Sequence, residues 1–201
     1  INLIKETGLT EDTIVIFSSD NGTTHLKLEV DYDFFDSVGK LRGLKGSLYE
    51  GGIRVPLIVK WPGKIKAGSV SDQLTGFEDW IVTIHHLIGA ESPLTAQHDG
   101  YNLTPSLFGN SNRSRPFLYR EFSGYGGQQA VWLGKWKGIR QKMLRKGQNH
   151  DPLKIELYDL IKDESETKDL SFVHPEIVLK IKDIMKKEHT KSLEFPISVI
   201  D

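Results

Sequence analysis

Thr13-Ile14-Val15-Ile16-Phe17, followed at once by Ser18-Ser19-Asp20-Asn21-Gly22, is the stretch from which the rest of the chain can be read. Five uncharged residues, rich in β-branched and aromatic types, read as a strand buried on both faces. The polar cluster then marks the strand's carboxyl end, where ligands gather in open α/β sheets. A carboxylate beside a carboxamide at that point is suited to hold a cation, although Asp, Asn and Gly are also the residues of ordinary turns. Gly22 lets the backbone turn away sharply.

Outward from this cluster, Phe34-Phe35-Asp36-Ser37, Leu41-Arg42-Gly43-Leu44-Lys45 and Tyr49-Glu50-Gly51-Gly52-Ile53-Arg54-Val55-Pro56 follow in close succession, closing on Trp61-Pro62-Gly63-Lys64-Ile65. The whole run resembles the sulfatase family, the type I enzymes that use a formylglycine nucleophile. The resemblance implies an α/β fold, the C-terminal part of an alkaline-phosphatase-like sandwich of mixed sheet and helices, followed by a small antiparallel sheet packed on a C-terminal helix. Ile1 to Gly8 reads as the end of an amphipathic helix stopped by Gly8. It matches a helix midway through a sulfatase, so the chain is expected to be a fragment, roughly the C-terminal half. Residues 1–112 would then belong to the catalytic α/β domain and residues 113–201 to the small C-terminal subdomain.

Roles for particular residues come from the same resemblance. Lys45 would contact the sulfate group and stabilise charge on the leaving oxygen. A lone lysine is ordinarily a solvated surface charge, but this one lies between Gly43 and Gly46, which let backbone and ligand approach closely. Asp20 and Asn21 would hold a divalent cation, with calcium implied, and oxygen-only ligands do suit a hard ion. His25, which is equally readable as a solvent-facing loop residue, would bind substrate. Glu50 and Arg54 are expected to brace the loop, because Val55 to Lys60 begins the next buried strand. Sulfatases generate formylglycine from a Cys or Ser in a Cys-or-Ser-X-Pro-X-Arg signature. No such stretch occurs here, so the nucleophile is expected outside these residues. The substrate implied is a sulfated carbohydrate or an aryl sulfate. Alternatives are a phosphoester or phosphonate hydrolase of the same superfamily and a non-catalytic relative that binds sulfated glycans.

The 201 residues carry 26 basic and 27 acidic side chains and no cysteine. Near-zero charge gives no general attraction to nucleic acid or an anionic membrane, and no apolar run is long enough to span a bilayer. Disulfides and thiolate metal sites are excluded within the chain. By resemblance the full-length protein is expected to be periplasmic or secreted. The apolar strand at Thr13 to Ser18 is expected to leave an apolar edge or face through which the fragment self-associates.

Further on, Phe77 to Ile88 has helical apolar spacing and reads as an amphipathic helix packing on the sheet, with His85 and His86 pointing in different directions and thus a poor chelate. Asp99 to Pro105 reads as a turn and a short helix. Residues 23–41 show no periodicity and read as an ordered loop. Pro116 to Phe122, Gln129 to Leu133, Trp136 to Arg140 and Ile155 to Leu160 read as an antiparallel sheet. Trp132 stands where relatives more often carry arginine. Lys135, Lys137, Arg140, Lys142, Arg145, Lys146 and Lys154 form a basic stretch that reads as a solvated strand edge or as a rim for polyanionic glycans. A final helix after His174 and Pro175 carries one apolar stripe, Ile177, Val178, Ile181, Ile184 and Met185.

Overall fold

The computed structural model describes residues 1–26, 30–91, 94, 98–110, 115–147 and 150–201. In chain order its elements are α1 (Asn2–Glu6), β1 (Val15–Ser18), α2 (Tyr32–Phe35), α3 (Glu50–Ile53), β2 (Leu57–Lys60), α4 (Asp79–Leu87), α5 (Thr104–Leu107), β3 (Leu118–Phe122), a 3-10 turn at Gly124–Gly126, β4 (Gln128–Leu133), β5 (Trp136–Arg140), β6 (Glu156–Asp159) and α6 (Pro175–Glu188). They fall into two units, one of Ile1–Ser18 with Pro56–Pro116, the other of Ser19–Val55 with Phe117–Asp201. The boundary expected at 112/113 lies outside the described residues. Residues 19–55, assigned from the sequence to the first domain, belong to the second unit. The reason is a set of buried polar contacts, described below, that tie them to the C-terminal sheet.

In the first unit β1 pairs antiparallel with β2, Val15 opposite Lys60 and Ser18 opposite Leu57. Both strands form where β-branched residues concentrate, but neither is buried on both faces. Phe17 is 61% and Ile58 60% exposed. A ladder of only two strands leaves its apolar side chains open unless another layer covers them. Helix α4 departs from expectation in the same way. Its apolar residues Ile81 and Ile84 are exposed, and so is Ile88 just beyond it, whereas Asp79 and Thr83, one turn apart, are fully buried.

The buried pair does the docking. Asp79 accepts from the backbone N–H groups of Gly76 and Tyr101, each at 2.7 Å, and pairs with Arg115 at 2.8 Å. Thr83 donates to the Asp79 carbonyl and accepts from Leu103 N. Gly100 is needed where this segment crosses the helix, since a Cβ there would lie 2.4 Å from the Glu78 carbonyl oxygen. Among the described residues no helix is long and apolar enough to cross a membrane.

The second unit is built on an antiparallel sheet in the order β3-β4-β5-β6. The apolar stripe of α6 covers it: Ile181 and Met185 are fully buried against Val131, Ile155 and Leu157. Gly138 makes the approach possible, because a Cβ there would lie 2.6 Å from Ile181 Cγ2. The segment read as irregular between 23 and 41 contains one helical turn, α2, which starts because the Asp31 carboxylate accepts from Phe34 N at 2.9 Å.

Two members of the basic stretch are not solvated. Arg140 is buried and donates to Gln129 Oε1 and the Leu153 carbonyl, while burial lowers its pKa. Lys137 is fully buried, its Nζ 2.8 Å from Glu50 Oε1 and 2.8 Å from Glu166 Oε1. Lys135 and Lys154 pair with Asp159 and Asp169. Lys137→Met should therefore leave the buried Glu166 without a counter-charge and Glu50 with only the more distant Arg54, and destabilise the protein by about 3–5 kcal/mol. Denaturant unfolding of the variant measures this.

Candidate functional site

All four residues singled out from the sequence, Asp20, Asn21, His25 and Lys45, lie in the second unit, on the segment 19–55. What shapes this segment is backbone meeting backbone. Gly22 N donates to Gly52 O at 3.0 Å, Gly51 N to Arg42 O at 2.7 Å, and Lys45 N to Thr23 O at 2.7 Å. A Cβ at Gly22 would sit 2.1 Å from Gly51 O, one at Gly51 2.3 Å from Gly43 O, and one at Gly52 2.2 Å from Ser47 O. Only glycine fits between backbones this close. The Gly-Gly step after Glu50 thus clamps the Asp20-Asn21-Gly22 turn to the loop that carries Lys45.

The clamp is itself held from the sheet. Glu50, 5% exposed, starts the single turn α3, and its Oε1 accepts from Trp132 Nε1 at 2.9 Å and from Lys137 Nζ at 2.8 Å. Glu166 Oε2 accepts from Glu50 N at 2.7 Å, capping that turn. Burial raises the pKa of Glu166 against the opposing pull of Lys137. At the loop's other end Arg42 donates to the Glu166 carbonyl at 2.8 Å and to Tyr158 Oη at 2.9 Å, and its guanidinium lies 3.9 Å over the Tyr49 ring. Tyr49 and Tyr158 both donate to Glu156 Oε2 at 2.6 Å; burial first, then this shared carboxylate, raises both phenol pKa values. Gln128 completes the frame, accepting from Leu48 N at 3.0 Å and donating to Gly46 O at 2.8 Å.

Against this rigid frame the candidate side chains face outward. Lys45 is exposed, and its ammonium makes no hydrogen bond or ion pair among the described residues. The Asp20 carboxylate is likewise exposed and without such a partner. Asn21 donates from Nδ2 to Gly22 O at 3.0 Å, which leaves Oδ1 as an acceptor. Ser19 Oγ donates to the Asn21 carbonyl at 2.8 Å and stiffens the turn. Carboxylate and carboxamide oxygens are the donors a hard divalent cation takes, so this pair fits part of such a shell. No group of three or more His, Cys, Asp or Glu that could hold a metal comes together among the described residues. Asp31, which could in principle have folded back to a cation, is occupied as a helix cap.

His25 is exposed, and its ring packs edge-on against Tyr125, centroids 5.6 Å apart, with Tyr125 Oη 3.4 Å from Nε2. Arg54 is 3.8 Å from Glu50 and 3.4 Å from Glu164, a bracing role as expected. Sequence reasoning missed Gln128, Glu166 and Tyr125, and read Lys137 only as part of a basic edge. The one local signal was Gly124-Tyr125-Gly126-Gly127, an aromatic residue isolated among glycines in a strand connection.

A family model described as N-sulphoglucosamine sulphohydrolase, C-terminal, matches residues 43–193. The chain belongs to the sulfatase family, as part of its C-terminal half, and its fold is the corresponding part of the alkaline-phosphatase-like fold. It is similar to an N-acetylgalactosamine-6-O-sulfatase of Bacteroides thetaiotaomicron, 28% identical over 95% of this chain and 39% of the relative, and to arylsulfatase A of Homo sapiens, 37% identical over 67% of this chain and 26% of the relative. Among solved structures it superposes on a Bacteroides thetaiotaomicron sulfatase from work on the metabolism of multiple glycosaminoglycans, with TM-score 0.72, 26% identity and coverage of 92% of this chain and 40% of that one. A sulfatase from Pseudoalteromonas sp. gives TM-score 0.69 and 25% identity over 92% of this chain and 38% of that one. The chain thus spans 39% of the length of the bacterial relative.

Close packing of the three glycines makes a sharp prediction. Gly51→Ala should destabilise the second unit by at least the ~1–3 kcal/mol of ordinary overpacking, because the atoms met are backbone oxygens that cannot swing aside. It should also shift the backbone amide resonances of Gly22 and Lys45, read by NMR. An unchanged spectrum would show that the clamp does not position the loop.

Proposed function

We propose that the intact protein is a sulfuric ester hydrolase acting on a sulfated carbohydrate, and that residues 1–201 supply its sulfate-contacting lysine and part of its metal site. The observation that carries this reading is the glycine clamp, which joins the Asp20-Asn21 turn to the Lys45 loop within a chain of sulfatase ancestry. Lys45 donates to a sulfuryl oxygen and stabilises the charge that grows on the departing alcohol oxygen. Its position on a loop braced at both ends means that little reorganisation accompanies the reaction. His25 donates to the anionic ester and orients it.

Asp20 and Asn21 would hold the divalent cation, calcium by the chemistry of their oxygens. When bound, such a cation screens the negative sulfuryl oxygens. The formylglycine nucleophile common in the family would come from sequence beyond these residues, which contain no cysteine. A sulfated sugar is supported by relatives named N-acetylgalactosamine-6-O-sulfatase and N-acetylgalactosamine-6-sulfatase that match over almost the whole of this chain, beside others named arylsulfatase A and steryl-sulfatase that match about two thirds of it. A periplasmic or secreted location fits extracellular sulfated glycans as substrate.

In the intact protein Lys45→Ala should lower kcat on a sulfate ester by about a hundredfold or more while leaving the unfolding midpoint nearly unchanged, since an outward-facing ammonium carries the chemistry and not the fold. Wild-type turnover in this variant would remove Lys45 from the site. Calorimetric titration gives a separate check: Asp20→Ala should weaken calcium binding by at least about tenfold, through loss of one anionic ligand. Equal affinity in variant and wild type would place the cation elsewhere.

A further inference from the structure

We propose that Tyr125 is a specificity-determining residue whose exposed ring stacks on the sugar ring bearing the sulfate held at Lys45. The proposal rests on the sulfatase reading above and adds a residue that the sequence motifs do not mark. Three features of the structure carry it.

Position comes first. Gly46 follows Lys45 directly, and a Cβ on it would lie 2.3 Å from Tyr125 Cε2, so the glycine leaves the room that the tyrosine ring takes. The same ring meets His25 edge-on at 5.6 Å. Tyr125 therefore touches the backbone beside one candidate sulfate-binding residue and the side chain of another.

Exposure comes second. In spite of these contacts Tyr125 is 59% exposed, and Phe122, 6.0 Å away with the ring planes 37° apart, is 40% exposed. A tyrosine buried for stability would hide its ring; this one is more than half exposed beside an exposed lysine. The electron-rich face of an aromatic ring suits the partly positive C–H groups of a pyranose, and binding sites for small polar molecules combine such faces with a few placed charges.

Backbone strain is the third. Tyr125 has φ 53° and ψ 30°, a left-handed conformation that glycine adopts freely and a bulky aromatic residue rarely does. Its neighbours are glycines, and Gly126 and Gly127 also have positive φ. At a position where a fourth glycine would be relaxed, a tyrosine is kept in a strained geometry that supports no core. Strain of this kind, once observed, points to function.

The test is calorimetric titration of the intact protein with N-acetylgalactosamine 6-sulfate, which reads the contact without requiring turnover. Tyr125→Ala and Tyr125→Gly should each raise Kd about tenfold, whereas Tyr125→Phe, which keeps the ring, should stay within about twofold of wild type. Tyr125→Gly should also hold or raise the unfolding midpoint, because it relieves the backbone. A ring serving only the fold would do the reverse, lowering the midpoint with Kd unchanged. Wild-type Kd in both Tyr125→Ala and Tyr125→Gly overturns the proposal, and so does failure of the wild-type protein to bind the sugar. Hydrolysis of 4-nitrophenyl sulfate separates the two readings. Wild-type turnover with an indifferent Tyr125 discards the stacking role alone; binding that depends on Tyr125 in a protein without turnover keeps the stacking role and discards the hydrolase.

Discussion

A single buried ammonium underlies the geometry of the second unit. Lys137 rises from the central strand β5 into a space where it is fully buried, and two carboxylates, Glu50 and Glu166, close on it at 2.8 Å. Each partner has a second task. Glu50 also receives Trp132 and begins the turn that places Gly51 and Gly52, and Glu166 caps that turn and, through its carbonyl, holds Arg42. Removing water from three charges is costly, and the cost is offset only when the geometry satisfies every group. A loop that drifted would leave a buried charge unmatched, so the arrangement specifies one position of the loop more strongly than apolar packing could.

This explains an apparent mismatch in how the site is built. Asp20, His25 and Lys45 are exposed and lie on loop segments, which by itself would place them poorly. Their backbone, however, is fixed by glycine contacts on one side and by the charge cluster on the other. Rigidity resides in the buried Glu50, Glu166 and Lys137 and in the glycines, while Lys45, His25 and the ring of Tyr125 are left exposed.

How much of this was legible in the sequence depended on the range of the interaction. The strands β3 to β6 and helix α6 were readable because β-branched runs, glycine-bearing connections and a helical apolar stripe are local patterns that their own packing satisfies. The candidate residues Asp20, Asn21, His25 and Lys45 came from the family resemblance, and the structure places all four on the segment 19–55. The burial of β1 and the packing of α4 were misread for one reason: apolar periodicity shows which face seeks a partner and not whether the residues at hand supply one. Lys137 was misread because a lysine among lysines carries no sign of burial; its partners are 87 and 29 residues away, beyond any pattern window. Trp132 appeared only as a departure from arginine, and its role emerged when its indole N–H was found on Glu50.

Glu166 lies 116 residues beyond the Glu50 amide that it caps, and its carbonyl lies 124 beyond Arg42. Chain synthesis runs from the amino end, so the loop bearing Lys45 leaves the ribosome long before the residue that fixes it exists. Until then its glycines, the most flexible of residues, have nothing to hold them, and closing so long a loop is slow relative to local helix and hairpin formation. The geometry of this loop is accordingly among the last features a newly made chain acquires, and a chain ending before Glu166 would contain Asp20, Asn21, His25 and Lys45 without the means to arrange them.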